Sequence, residues 1–139
     1  MKNLFKVPSL NNKASIGLLL LRIVLGLAFM FHGWGKIQNP MNWMGDDGPP
    51  AIFQMLAAIS EFGGGLAWIL GLLFPLSSLG VLCTMAVATH FHAIIRGDAF
   101  VGKEGSFEMP LVYLVIALMF ILTGPGKFSL DSKIFGTKN

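Results

Sequence analysis

Four long apolar runs dominate the chain, at residues 15–37, 51–73, 76–95 and 109–123. Between them lie NPMNWMGDDGPP (39–50), FPLSS (74–78) and GDAFVGKEG (97–105), where Pro, Gly, Asn, Asp and Ser favour chain reversal. A helix needs about 20 apolar residues to cross the hydrocarbon core. Within that core, backbone groups are satisfied only in helices or closed barrels. The pattern therefore predicts an all-α bundle of four transmembrane helices, a single domain over residues 1–139. The connection around Phe74 to Ser78 is uncharged and short, so spans two and three should form an antiparallel hairpin. An even number of spans brings both termini to one side.

Polar residues interrupt these runs at few places. Span one carries Arg22, His32 and Lys36, span two Glu61, and span three His90 and His92 with Arg96 just beyond; Glu108 opens span four. At about 100° per residue, Arg22, Gly26, Gly33 and Lys36 fall within about 40° of one another, with His32 about 40° from Lys36. Gln54, Glu61, Gly65 and Trp68 align in the same way on span two. His90 shares a face with Cys83, whereas His92 points about 160° away, so only one of the two histidines should face the interior. A charge at mid-helix costs about 2.5–3.5 kcal/mol on insertion scales, which predicts that Arg22 and Glu61 turn inward and pair with each other. His32, Lys36, His90 and Glu108 form a second expected group, in the half of the bundle away from the termini. Glycines at 26, 33, 63, 64, 65 and 71 predict close helix packing. Gly124 and Pro125 should end span four, and Asp131 should cap a short tail helix or pair with Lys133.

Composition supports the membrane reading. The chain is 54% hydrophobic and 12% charged, with a mean hydropathy of +0.69. Lys2, Lys6 and Lys13 precede span one as they would a signal peptide, but no small-x-small cleavage pattern follows Phe31, so a retained helix is expected. Lys127, Lys133 and Lys138 add to the tails, while the long loops mix Asp46, Asp47, Asp98 and Glu104 with Arg96 and Lys103. The positive-inside rule then puts both termini in the cytoplasm. Trp34 and Trp43 at one interface and Phe128 at the other suit anchoring. One cysteine, Cys83, excludes a disulfide or dithiol centre within the chain. The net charge of +3 suits an anionic lipid surface, and the absence of a basic stripe with interleaved aromatics argues against a nucleic-acid partner.

LLLRIVLGLAFMFHGWGKI (19–37), EFGGGLAWILGLL (61–73), MAVATHFHA (85–93) and EMPLVYLVIALMFILTGPGKFSLD (108–131) together resemble the DoxX family of four-helix bacterial membrane proteins. That resemblance implies a location in the inner membrane and a link to quinone-dependent oxidation of sulfur compounds or to oxidative-stress complexes. Position by position, it maps the family's polar signature onto Arg22, His32, Lys36, Glu61, His90, Glu108 and Asp131.

The leading functional expectation is a quinone-binding redox subunit. A small apolar ring would enter between the helices, with Arg22, His32, Lys36 and His90 binding it and Glu61 or Glu108 accepting or delivering protons. Histidine suits this work because it exchanges protons near neutral pH. No electron carrier is evident in the chain, so a partner protein subunit is expected. Haem held by His32 and His90 is a lesser expectation, and two-iron chemistry lacks its Glu-x-x-His spacing. The alternative function is a non-catalytic scaffold that recruits partner proteins, since there is no nucleophile with base and orienter, no phosphate loop and no metal cluster. A transporter of protons or small solutes is a third possibility, for which four short helices leave little room.

Overall fold

The computed structural model describes residues 5–45 and 48–137. Lys2, Lys138, Asp46 and Asp47, used above for orientation, lie outside the described residues. Four apolar helices, α1 (Asn12–Gln38), α2 (Ala51–Leu70), α3 (Phe74–Ile95) and α4 (Glu108–Thr123), are followed by a short α5 (Leu130–Phe135). Strand structure among the described residues is confined to two isolated bridges. The chain is thus an all-α membrane bundle, as its pattern predicts. Side chains such as Phe31 (80% exposed) and Leu122 (73%) cover its outside, a surface suited to lipid and not to water.

Helix α1 starts where the Asn11 side chain accepts the Ala14 N–H at 2.8 Å. It packs along α2 with almost no side chain between the backbones: a Cβ on Gly26 would lie 2.6 Å from the Gly65 carbonyl oxygen. The expected tight glycine packing is found here. Helices α3 and α4 pack against each other, and the core closes between the two pairs. Phe29, Trp68, Phe120 and Phe74 stack there as successive edge-on or tilted rings with centroids 4.9–5.2 Å apart. The Trp68 indole N–H is satisfied by Ser78 Oγ at 3.0 Å. Val7 N–H donates to the Gly136 carbonyl at 3.0 Å, and the Phe5 and Phe135 rings stack, so both tails meet at one end of the bundle.

This tail end corrects the expected pairing of Arg22 with Glu61. Arg22 is fully buried and donates four hydrogen bonds, all to backbone carbonyls. Nε reaches Trp68 O (2.7 Å) and Nη2 reaches Ile69 O (2.9 Å), both in the last turn of α2, where carbonyls have no partner within the helix. Nη1 reaches Pro125 O (2.7 Å) and Phe128 O (3.0 Å) in the turn after α4. At 16 residues α4 is about 24 Å long, short of the roughly 30 Å hydrocarbon core, so its exit needs such partners. The depth estimate that put Arg22 within reach of Glu61 ignored these nearer acceptors.

Asp131 completes the arrangement. Its carboxylate accepts the N–H groups of Leu73 (2.8 Å) and Phe74 (2.8 Å), where α3 begins, and its own N–H donates to Gly71 O at 2.9 Å. The hairpin it grips is tight: Gly71 has φ +62° and Leu73, unusually for a residue with a side chain, φ +47°. Asp131 lies in the first turn of the tail helix, but its carboxylate caps α3, while Ser129 Oγ accepts the Ser132 N–H of α5. GPGKFSLD therefore does more than stop a helix.

Replacing Asp131 with Ala should remove both charge-assisted bonds to the hairpin and destabilise the bundle by about 2–4 kcal/mol. Lys133→Ala, at an exposed position, should shift stability by less than about 0.5 kcal/mol. Reversible unfolding of the purified protein in mixed micelles measures both, and equal effects would return the weight to a pairing of Asp131 with Lys133.

Candidate functional site

Opposite the tails, the four helices diverge around an open cavity of about 310 Å³. Its apolar walls come from Phe29 of α1, Met85 and Ala88 of α3, and Met109, Pro110 and Tyr113 of α4. Besides the Tyr113 phenol, four ionisable side chains reach it: His32 and Lys36 from α1, Glu61 from α2 and His92 from α3.

Lys36 and Glu61 meet because the backbones do. A Cβ on Gly33 would lie 2.6 Å from Phe62 N, so α1 touches α2 beside Glu61. There α2 opens into a π-helical turn, Ile59–Gly63, a local widening that often accompanies functional positions. Lys36 Nζ donates to Glu61 Oε1 at 2.6 Å. The Glu61 side chain is only 4% exposed and that of Lys36 25%. The second carboxylate oxygen, Oε2, is buried and has no hydrogen-bond partner among the described residues. Trp43 closes over the ammonium, 4.4 Å from its ring centre, and its own N–H donates to Gln54 O at 2.9 Å. Gln54 in turn holds the loop, accepting from Met44 N and donating to Pro49 O.

On α3 it is His92, not His90, that faces the cavity. His90 is exposed on the other side, as is Cys83, with which it shares a face. The inward row runs Phe74, Ser78, Val81 and Met85, all buried, and continues in steps of three and four through Ala88 to His92. His92 Nδ1 lies 2.6 Å from Asp98 Oδ2, an oxygen also 3.5 Å from Arg96 Nε. With Nδ1 so engaged, Nε2 is the ring nitrogen left to a ligand.

Of the residues expected from sequence, His32, Lys36 and Glu61 are brought together. His32 is exposed at the cavity's edge, its ring 6.5 Å from that of Tyr113. Arg22 is spent on carbonyls at the far end, and Glu108 starts α4, its N–H on Phe100 O at 3.1 Å, without lining the cavity. The structure does not join His32 and His90 around a common space, so these two do not fit as axial ligands of a haem. Sequence reasoning missed His92, Asp98 and Tyr113.

A four-helix membrane bundle with a half-open polar cavity at one end is the class this fold and site define. The chain belongs to the DoxX family, whose model matches residues 17–93. It is 30% identical, over 94% of its length and 96% of the relative's, to a Bacillus subtilis protein named "Putative oxidoreductase CatD". It is 32% identical to the Escherichia coli "Inner membrane protein YqjF", over 84% of this chain and 90% of that one. An uncharacterized Haemophilus influenzae protein is 31% identical over 83% of the chain and 88% of its own length. No solved structure matches the chain.

Lys36→Met should leave a buried carboxylate without its counter-charge and cost about 3 kcal/mol, whereas adding Glu61→Gln should restore most of that loss. Unfolding free energies of the two single variants and the double variant form the test. Purely additive costs would show that the two charges are not coupled.

Proposed function

We propose that the cavity holds the ring of a quinone and that the chain is the quinone-binding membrane subunit of a bacterial inner-membrane oxidoreductase or oxidative-stress complex, its tails in the cytoplasm. The observation that carries this reading is the Lys36–Glu61 pair, its carboxylate buried, set among the apolar and aromatic walls of an open cavity. Small-molecule sites combine these ingredients, a mostly apolar surface with a few convergent polar groups.

The residues present fit such a ring. About 310 Å³ lies at the small end of ligand cavities, enough for a head group while an apolar tail stays in lipid. Phe29, Tyr113 and Met85 offer flat and polarisable contacts, and the Lys36 ammonium has donors beyond the one given to Glu61. A bound quinone supplies two-electron, two-proton redox chemistry, and a partner subunit would supply the electrons. The printed names of the B. subtilis and E. coli relatives, an oxidoreductase and an inner-membrane protein, agree with this role. So do the lysines of the tails, under the positive-inside rule.

Saturable binding of a short-chain ubiquinone to the protein in lipid nanodiscs, followed by calorimetry, tests the proposal. Tyr113→Ala should weaken binding at least about fivefold, as the loss of one aromatic contact with the ring does, and His90→Ala should leave it unchanged. Absence of saturable binding, or equal losses in both variants, would move the weight to the scaffold role.

A further inference from the structure

The cavity's polar groups are unequal in what they ask of a ligand. Lys36 has filled only one carboxylate oxygen of Glu61, a residue that lines the cavity, and Oε2 is buried without a partner among the described residues. A carboxylate oxygen can only accept, so this atom is satisfied by an O–H or N–H donor and repels a carbonyl oxygen. His92 asks for the same thing. When the neutral imidazole keeps its proton on Nδ1 and donates that N–H to Asp98 Oδ2, the Nε2 atom is an acceptor too. The Lys36–Glu61 pair is neutral as a unit, so nothing there calls for a charged ligand.

Resting on the quinone reading above, we infer that the site selects the reduced form, a neutral hydroquinone or related phenol, whose hydroxyl donates to Glu61 Oε2. The same hydroxyl oxygen can accept from Lys36 Nζ, so that one ring substituent satisfies both members of the pair. An oxidised quinone offers only acceptors: it can take a hydrogen bond from Lys36 but leaves Oε2 desolvated and opposed to a second oxygen lone pair. The chain then acts as a holder of the reduced carrier. The unpartnered oxygen of Glu61 sets the preference, and the aromatic walls set the affinity common to both forms.

Anaerobic calorimetry in nanodiscs with three probes of one ring skeleton separates the possibilities: decyl-benzoquinone, its hydroquinone, and the dimethyl ether of that hydroquinone, which keeps the shape and loses the donors. The hydroquinone should bind at least about tenfold more tightly than either of the others. Glu61→Gln, whose amide can donate to a carbonyl, should bring the quinone and hydroquinone to within about threefold of each other. Quinone or ether binding as tightly as hydroquinone to the unaltered protein would overturn the inference while leaving a ring-binding cavity. So would a preference of undiminished size in folded Glu61→Gln. If none of the three binds, the quinone reading falls and this inference with it. The comparison on the unaltered protein stands even where the variant fails to fold.

Discussion

A guanidinium that donates only to backbone carbonyls, deep at one end of a membrane bundle, is the interaction on which the rest of the structure depends. In hydrocarbon, a carbonyl released at a helix end has no water to turn to, and each unsatisfied group costs several kcal/mol. Here α2 ends in a left-handed turn and α4 ends after 16 residues, so carbonyls are released by both at nearly the same place. From a third helix Arg22 meets two of those of α2 and two more in the turn that follows α4. Asp131 supplies the complementary service to the two N–H groups that begin α3, and sits within Coulombic reach of the guanidinium. Four helices are thereby fixed to one another at the tail end through backbone groups that would otherwise lack these partners in hydrocarbon.

That anchoring leaves the other end free to differ. Below, aromatic rings and glycines bring the helices together; above, the α1–α2 contact persists through Gly33 while α3 and α4 leave a cavity. A π-helical turn presents Glu61 at the point of divergence, and the loop held by Gln54 lays Trp43 over Lys36. The loop end is thus built from fewer obligatory contacts. A bundle held rigid at one end and opened at the other can admit a ring without loosening its core.

The fold was legible in the sequence because hydropathy reports on the membrane directly: the four runs and the glycine-lined contact of α1 with α2 correspond to the structure, and the expected hairpin is present, though it turns at Gly71–Leu73 while FPLSS forms the first turn of α3, where a proline fits. Inward faces were harder to read, for the same physical reason. When lipid surrounds a helix, its outer face is as apolar as its inner one, and hydrophobic periodicity loses its contrast. His90, not His92, was taken as the ligand residue, yet it and Cys83, which shares its face, are both exposed. The row that does face inward, from Ser78 to His92, could have been found by starting from the small polar residue behind a proline-led helix and counting in threes and fours. Arg22 was assigned to Glu61 because pairing rules for buried charges look first for an opposite charge. Its actual partners, main-chain carbonyls, leave no mark in side-chain identity, although LGLL and GPGKF, two glycine-broken helix ends, were their only visible trace.

The two buried charge sites also differ in a way that separates structure from function. At Arg22 four of the five N–H donors meet carbonyls in the protein, and with zero exposure the group is closed to a ligand. At Glu61, a residue that lines an open cavity, the described residues supply a partner for one oxygen and none for the other. A purely structural ion pair gains by satisfying every lone pair it buries, because a half-satisfied group retains its desolvation cost. A site that must exchange a ligand has to keep one acceptor available. The contrast between an arginine enclosed by carbonyls and a half-satisfied glutamate, within one small bundle, is what favours the loop end as the place for a ligand and the tail end as the part that holds the helices in place.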